Sequence, residues 1–434
     1  MSNGAELGSG TRKLLIYTAL TSTLTATQLA FAGGLLFWEM GTPTLGTAGA
    51  GWAAMPEDAS TAFTNPAGTV WRESTEIMAS GQLLYGHLDF SDGGESNVPG
   101  NDGGNAIEWF PGGGFFAAGR LNENFGWGFS VSGNFGGSVA YDSQWKGRRF
   151  VRKVDLLSGN IMPSLSWRAS DRLSLGLGFI LATGYYRFES SPRAGILPGD
   201  ASLRYDDTQV SPGGSLGVIY KPTSDTVLGL TYTSTISWDF NYRLQLKNFG
   251  PLFGPLAEQF NGRNLRINVD VPQTLTASVQ QRLSPTATVY ANLNWQHWSE
   301  FGYFGLEIDN PAQVSVTLNR NYKDTWHGAI GIRHKFDSGT LQDWSLSAGI
   351  AYDSGMVNTE NRTADLVTDA AWRLGFGGQK ELCYGLRLDL GYTLLWFGDT
   401  DIDQTGRPPF NPRLQGTYKN YSVNFFGASL QRSF

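Results

Sequence analysis

The feature that most constrains this chain is a two-residue alternation of apolar and polar side chains over long stretches. Across residues 228–246 most apolar residues fall on every second position, and polar residues alternate with them. This period separates the two faces of a β-strand. The stretch is well over the ~10 residues that a tilted strand needs to cross a bilayer. Alternation of this length predicts an all-β protein whose strands project beyond a membrane.

The face opposite the apolar one carries charge. Arg387 and Asp389 alternate with leucines within the stretch 382–396. Such charges are untenable in lipid, but a water-filled or protein-filled barrel interior accepts them. A soluble β-sandwich or propeller is the alternative, and it would show shorter strands at a spacing of about 8 to 12 residues. The pattern therefore favours a transmembrane β-barrel.

Turn signals divide the chain into about fourteen antiparallel strands, an even number typical of outer-membrane barrels. Short polar clusters predict tight connections, and these alternate with longer segments. This asymmetry is typical of short periplasmic turns and long extracellular loops. The predicted tight connections are residues 122–124, 170–172, 222–225, 284–286, 337–343 and 378–381.

Residues 1–32 have the organisation of a secretory signal peptide. Arg12 and Lys13 precede a moderately apolar stretch that ends in Ala30-Phe31-Ala32, an A-x-A cleavage pattern. A membrane anchor is the alternative, but several polar residues dilute the stretch. No later run is apolar and long enough for a transmembrane helix. We therefore predict export of a mature chain that begins at residue 33.

Composition and spacing argue against several functional classes. Cys383 is the single cysteine, which rules out an intrachain disulfide and a multi-cysteine metal site. The net charge of -6 argues against nucleic acid as a partner. The four histidines show no metal-ligand spacing, so we predict neither metal nor cofactor. An outer-membrane hydrolase is the enzymatic alternative, but its nearest candidate pair, His297 and Ser299, lacks an evident third member. We predict that the protein is not an enzyme.

Residues 33–73 do not fit as strands, because prolines and many small residues interrupt any alternation. A segment of this size ahead of the barrel, residues 74–434, is predicted to reach back into the lumen as a plug, the hatch. The stretch 45–51, residues 58–62 and the motif Asn65-Pro66-Ala67 resemble the hatch of the FadL family of hydrophobic-compound transporters.

The resemblance continues along the barrel. Residues 298–301, the pair Lys323-Asp324 and residues 348–354 are similar to family motifs on the ninth to eleventh strands. The terminal Phe434 follows an alternating strand and resembles the recognition element of the barrel-assembly machinery, an expected partner during biogenesis. Members of the family have fourteen strands.

The resemblance implies uptake of hydrophobic molecules across the outer membrane of a Gram-negative bacterium. Long-chain fatty acids are the first expected substrate, and aromatic or aliphatic hydrocarbons are the alternative. The expected protein is a monomer in contact with outer-membrane lipid and lipopolysaccharide. A general porin is a further alternative, which a hatch inside the lumen disfavours.

The resemblance also implies a path for the ligand. An apolar extracellular loop captures it, the apolar hatch tip lines an internal site, and a kink in the third strand opens a lateral exit. Glycine inside a strand often marks a bulge. The alternatives are a loop packed on its neighbours, a tip that only plugs, and glycines that are merely abundant. The predicted residues are Phe249, Leu252, Phe253 and Leu256 in the loop, Leu36, Phe37 and Trp38 at the tip, and Asn134, Phe135, Gly136 and Gly137 at the kink.

A carboxylate ligand inside an apolar chamber requires a cationic partner, since an unpaired buried charge is strongly disfavoured. The family resemblance implies Lys323 first and Arg187, near the upper end of the fifth strand, second. The alternative for Lys323 is an ion pair with Asp324 or another acid. If Lys323 holds the carboxylate, Lys323→Ala lowers fatty-acid affinity by roughly tenfold or more and leaves a neutral hydrocarbon nearly unaffected.

Overall fold

A computed structural model describes residues 35–193, 199–251, 253–309, 314–406 and 411–434. These residues form a closed antiparallel β-barrel of 14 strands, which confirms the predicted fold class and strand number. The barrel closes where the first strand pairs with the last one. The predicted signal peptide lies outside the described residues. No helix in the described ranges is long and apolar enough to cross a membrane.

Six short segments extend or interrupt the fourteen barrel strands, which gives twenty labelled segments in all. Helices are few and short. The strand segments are β1 (Glu76–Asp92), β2 (Trp109–Arg120), β3 (Phe125–Ser132), β4 (Gly136–Ala140), β5 (Lys153–Arg168), β6 (Leu173–Ser190), β7 (Ser202–Tyr220), β8 (Thr226–Thr233), β9 (Ile236–Arg243), β10 (Gln245–Lys247), β11 (Asn264–Val271), β12 (Thr274–Arg282), β13 (Ala287–Gln296), β14 (Tyr303–Ile308), β15 (Val314–Asn319), β16 (Thr325–Lys335), β17 (Trp344–Asp353), β18 (Ala371–Glu381), β19 (Leu386–Thr405) and β20 (Arg413–Ser433). The α-helices are α1 (Thr61–Thr64), α2 (Gly254–Phe260) and α3 (Trp298–Phe301), and the 3-10 turns are Pro43–Thr47, Pro66–Trp71, Lys146–Arg149, Gly339–Leu341, Thr359–Asn361 and Cys383–Gly385.

The two faces of the wall differ as the alternation predicts. On β6, Leu177 and Phe179 are exposed on the outside, whereas Tyr186 and Phe188 are buried inside. The outer face is therefore apolar, as a lipid-facing surface must be. Arg387 on β19 points inward and lies beside the hatch residue Asp58, which satisfies its charge within the lumen.

The described part of the hatch packs inside the barrel, and β1 begins at Glu76. The Asn65 side-chain amide donates to the carbonyls of Ala53 (2.7 Å) and Val218 (3.1 Å), and its oxygen accepts from the Ala67 amide at 3.1 Å. A side chain at Gly217 of the wall would lie 2.0 Å from that oxygen. Asn65-Pro66-Ala67 therefore ties the hatch to the wall where a glycine permits close approach.

One predicted turn is wrong. The strand β18 runs through residues 378–381 to Glu381, and the tight connection follows it, with Tyr384 in a left-handed conformation (φ 59°). The polar cluster misled the prediction because it forms the end of the strand and not the connection that follows. The other five predicted tight connections do lie between strands.

Candidate ligand path through the barrel wall

The third strand of the barrel is interrupted between β3 and β4. The ladder between β2 and β3 ends at the pair Gly114–Ser132, and β4 pairs with β5 only. Above this point the two sides meet again, where the amide of Ala140 donates to the carbonyl of Ala106 at 2.9 Å. The wall therefore contains a gap between residues 107–113 and residues 133–139, which we call the window.

The backbone at the kink bonds to the hatch tip, residues 35–40. The amide of Phe37 donates to the carbonyl of Asn134 at 2.7 Å, and the amide of Gly136 donates to the carbonyl of Leu35 at 3.0 Å. Leu36 and Phe135 form an isolated antiparallel bridge. Buried backbone groups need partners. At the kink the hatch tip supplies the backbone hydrogen-bond partners that β2 supplies to β3.

The backbone conformation at position 136 requires glycine. The φ of Gly136 is +144°, and a Cβ would lie 2.4 Å from the carbonyl oxygen of Leu156. A Cβ at Gly133 would lie 2.4 Å from the carbonyl oxygen of Ser158. Backbone of this kind, in close approach to a neighbouring strand, is a place where glycine is required. These two glycines therefore shape the kink and are not explained by glycine abundance alone.

A cavity of about 580 Å³, the window cavity, runs from Leu35 and Phe37 of the hatch tip to the window. At its outer end lie Trp109 and Phe110, which are 56% and 39% exposed. Its volume falls in the range of small-molecule sites, about 300–1,000 Å³. The window cavity thus connects the interior of the barrel with its membrane-facing surface.

A second, smaller cavity of about 60 Å³, the inner cavity, lies between the hatch and the opposite wall. Phe37 and Phe135 line both cavities. The ring of Phe135 lies 6.1 Å from that of Trp298 and 6.2 Å from those of Trp238 and Phe301. Phe37 and Phe135, together with Ser158, therefore lie between the two cavities.

A buried ion cluster holds the base of the hatch tip. Arg373 of β18 donates through Nη1 to both carboxylate oxygens of Glu39, at 2.6 and 2.7 Å, and through Nε to Asp353 at 2.6 Å. His327 completes the cluster, with Nδ1 2.9 Å from Asp353 Oδ1. The ring of Trp38 stacks on that of His327 at 4.3 Å. This cluster clamps the tip to the wall immediately after the residues that meet the kink.

Comparison with known proteins identifies the family. Residues 23–434 match the family model described as outer membrane protein transport protein (OMPP1/FadL/TodX). The chain belongs to the OMPP1/FadL/TodX family. Its members are outer-membrane transporters, and the barrel of this chain lies in the outer membrane of a Gram-negative bacterium.

Several members of the OMPP1/FadL/TodX family are similar over most of the chain. The long-chain fatty acid transport protein of Escherichia coli O6:H1 is 24% identical over 386 residues, which cover 80% of this chain and 83% of that protein. Outer membrane protein P1 of Haemophilus influenzae is 24% identical over 420 residues, covering 86% and 88%. A Pseudomonas aeruginosa FadL homologue of known structure has a TM-score of 0.82 at 21% identity, covering 92% and 99%. The P. putida toluene transporter TodX has a TM-score of 0.66 at 14% identity, covering 94% and 99%, and both structures show the shared fold.

The structure places the two cations that the family resemblance implied away from the linings of both cavities. Arg187 lies on the same face of β6 as the lipid-facing Leu177, and it pairs with Glu189 on the outer surface. Lys323 is exposed and lines neither the window cavity nor the inner cavity. Asp324 accepts instead from Ser299 Oγ at 2.6 Å. Neither cation lines the window cavity or the inner cavity, and contact of either with a ligand carboxylate stays a prediction.

The loop predicted to capture the ligand packs partly on the core. Phe249 is partly buried against it, and Phe253 precedes α2, which buries Ala257 and Phe260. Leu252 and the side chain of Leu256 lie outside the described residues. The role of this loop in capture stays a prediction.

The hydrolase pair of the sequence analysis does not come together. Ser299 Oγ donates to Asp324, whereas His297 Nδ1 lies 3.0 Å from the amide of Gln273 and 3.1 Å from Glu300. The two side chains therefore have different partners. The known members of the family are transporters, in agreement with a non-enzymatic role.

Sequence reasoning missed three features of the site: the outer rim at Trp109 and Phe110, the clamp at Glu39, and Asp365 in the window cavity. A signal existed for Glu39, because it is a single acid within the apolar tip and such a residue needs a buried partner. No comparable signal existed for Asp365, whose position depends on how a loop folds into the lumen.

Proposed function

We propose that this protein takes up hydrophobic molecules through its barrel and releases them sideways, through the window, into the bilayer. One observation carries the proposal: the window cavity extends from the hatch tip to exposed aromatic residues on the membrane-facing surface. A ligand that follows this route leaves the barrel before it meets the packed lower part of the hatch. It never enters water on the periplasmic side.

In the proposed release step, the hatch tip moves. Displacement of residues 35–37, which precede the clamp at Glu39, breaks two backbone hydrogen bonds to the kink, those of Phe37 and Gly136, and withdraws Phe37 from between the two cavities. A ligand in the inner cavity that displaces Phe37 would therefore also free the kink. A ligand shifts a conformational equilibrium only by its differential affinity for the two states, and contact with Phe37 supplies such a difference.

The substrate is proposed from its chemistry. The E. coli relative is named as a long-chain fatty acid transporter and TodX as a toluene transporter, and molecules of both kinds are hydrophobic. Long-chain fatty acids are one candidate class. Hydrocarbons are the second, and the positions of Lys323 and Arg187 away from both cavities favour them.

The proposal is tested by uptake. Cells that lack an uptake protein of this kind should take up a labelled fatty acid or a labelled alkane faster when they express this chain. Uptake of a small sugar should not increase, because the hatch fills the lumen. Faster entry of the sugar, with no effect on either apolar ligand, would show that the protein is a diffusion porin.

Deletion of residues 33–40 tests the role of the tip. We expect ligand affinity to fall by about tenfold, because Phe37 and Trp38 line the inner cavity. Conductance in planar bilayers should stay far below that of a porin, since the rest of the hatch, including the Asn65 anchor, is still present. If conductance rises to porin levels, the tip is a structural cork and not a ligand lever.

A further inference from the structure

We propose that Asp365 is the polar anchor of the window cavity, and that it selects neutral hydrophobic ligands with a hydroxyl group, such as long-chain alcohols or alkylphenols, over carboxylates. The inference rests on the proposed function and adds a ligand class to it. It starts from a buried acid that lines an otherwise largely apolar cavity.

The loop between β17 and β18 places Asp365 inside the barrel. Residues 362–368 of this loop are buried. The hydroxyl of Tyr141 donates to the carbonyl of Ala364 at 2.9 Å, and the amide of Ala364 donates to the side chain of Gln404 at 2.8 Å. Asp365 itself is 3% exposed and lines the window cavity together with Leu366 and Val367. The carboxyl group is therefore held in a fixed position at the buried side of the cavity.

The partner of this acid stands outside the cavity lining. Arg320 donates through Nη2 to Asp365 Oδ2 at 3.2 Å, and its Nη1 is engaged with the hydroxyls of Tyr322 (2.9 Å) and Thr363 (3.2 Å). Arg320 is not among the residues that line the window cavity. Burial raises the pKa of the Asp365 carboxyl, and Arg320 opposes this effect. A ligand in the cavity thus meets the acid first and the cation only behind it.

The other charged side chains that line the cavity are more exposed than Asp365. Glu108 is exposed, and Lys153 is partly exposed with its Nζ 3.5 Å from Asp155. A ligand carboxylate at the buried end would face Asp365 without a free cation. Binding there is disfavoured because the two negative charges repel each other and the ligand charge would be buried without a partner. A hydroxyl group can instead donate a charge-assisted hydrogen bond to Asp365. An alkane fills the same space without that bond.

Three ligands of equal chain length test this inference: 1-dodecanol, dodecane and dodecanoate. Binding is measured by calorimetry on the purified full-length barrel in nanodiscs, with empty nanodiscs as the reference for partition into lipid. Wild-type protein should bind dodecanol about tenfold more tightly than dodecane, and dodecanoate most weakly. Dodecanoate binding that equals or exceeds dodecanol binding overturns the inference and leaves the transport function standing. If none of the three ligands binds, the proposed function fails and the inference fails with it.

Two variants sharpen the test. Asp365→Asn removes the negative charge in front of Arg320, so dodecanoate affinity should rise by about tenfold while the preference for dodecanol over dodecane shrinks. Glu360→Gln, an exposed acid of the same loop, should change neither. If the wild-type protein binds dodecanoate strongly and Lys153→Gln abolishes that binding, Lys153 is the anchor and the inference is wrong. The wild-type comparison decides the question even if Asp365→Asn does not fold.

Discussion

Replacing Gly137 with tryptophan should reduce the initial rate of uptake of a hydrophobic ligand by about tenfold or more while the barrel stays folded. Gly137 lines the window cavity beside Gly136. It lies on β4, which pairs with β5 and not with β2. An indole group at this position would occupy the opening through which the ligand passes. Resistance to heat unfolding on gels reports whether the barrel is intact.

The choice of Gly137 over Gly136 matters, because a side chain at Gly136 would strain the backbone as well as fill the opening. Gly328→Trp is the matched control. Gly328 lies on β16, and no heavy atom lies within 4 Å of its Cβ position, so the same indole should be tolerated without loss of uptake. Equal uptake rates for Gly137→Trp and wild type would exclude the window as the exit.

Replacing Arg373 with methionine should release the hatch tip from the wall. The substitution leaves Glu39 and Asp353 buried without their shared cation, and breaking a buried ion pair on one side costs about 3–5 kcal/mol. The barrel ladder does not depend on this side chain, so the loss should appear as undocking of the tip and not as unfolding of the barrel. The expected change in the docking equilibrium is about a hundredfold or more.

Undocking can be measured with a thiol probe. In a Cys383→Ser background, which removes the exposed native thiol, Leu35→Cys places a reporter on the buried tip. Its labelling rate should rise about a hundredfold when Arg373→Met is added, because labelling follows the population of the open form. Arg266→Met is the control: Arg266 and Glu307 form an exposed pair, and such pairs contribute about 0–1 kcal/mol. If both variants label at the same rate, Arg373 does not clamp the tip.

The face on which Arg187 lies could be predicted from the sequence. Arg187 has the same parity as Leu177 and Phe179 on its strand, so the alternation that predicted a lipid-facing leucine row also places Arg187 on the outside. The resemblance to the family overrode that local signal. Lys323 gave no such warning, because it lies in the short break between β15 and β16, where strand parity does not apply.

The glycines of the barrel wall show a different limit of prediction from sequence. Glycine predicts turns because it tolerates unusual backbone conformations, but in this barrel some glycines serve to admit the hatch. Gly377 and Gly46 are far apart in sequence and meet only when the hatch lies inside the closed barrel. A reading of the sequence alone treats the two uses of glycine alike.

The barrel, its strand number and the segment that fills the lumen could be predicted from local signals in the sequence, namely the two-residue period, the turn residues and the loss of alternation in the hatch. The kink in the third strand was implied by the resemblance to the family. The contacts between distant segments could not be predicted: Arg373 with Glu39, the hatch tip with the kink, and Arg320 with Asp365. The physical reason is that these contacts join segments many residues apart, and their formation depends on barrel closure and on how the hatch and the loops fold into the space that closure creates.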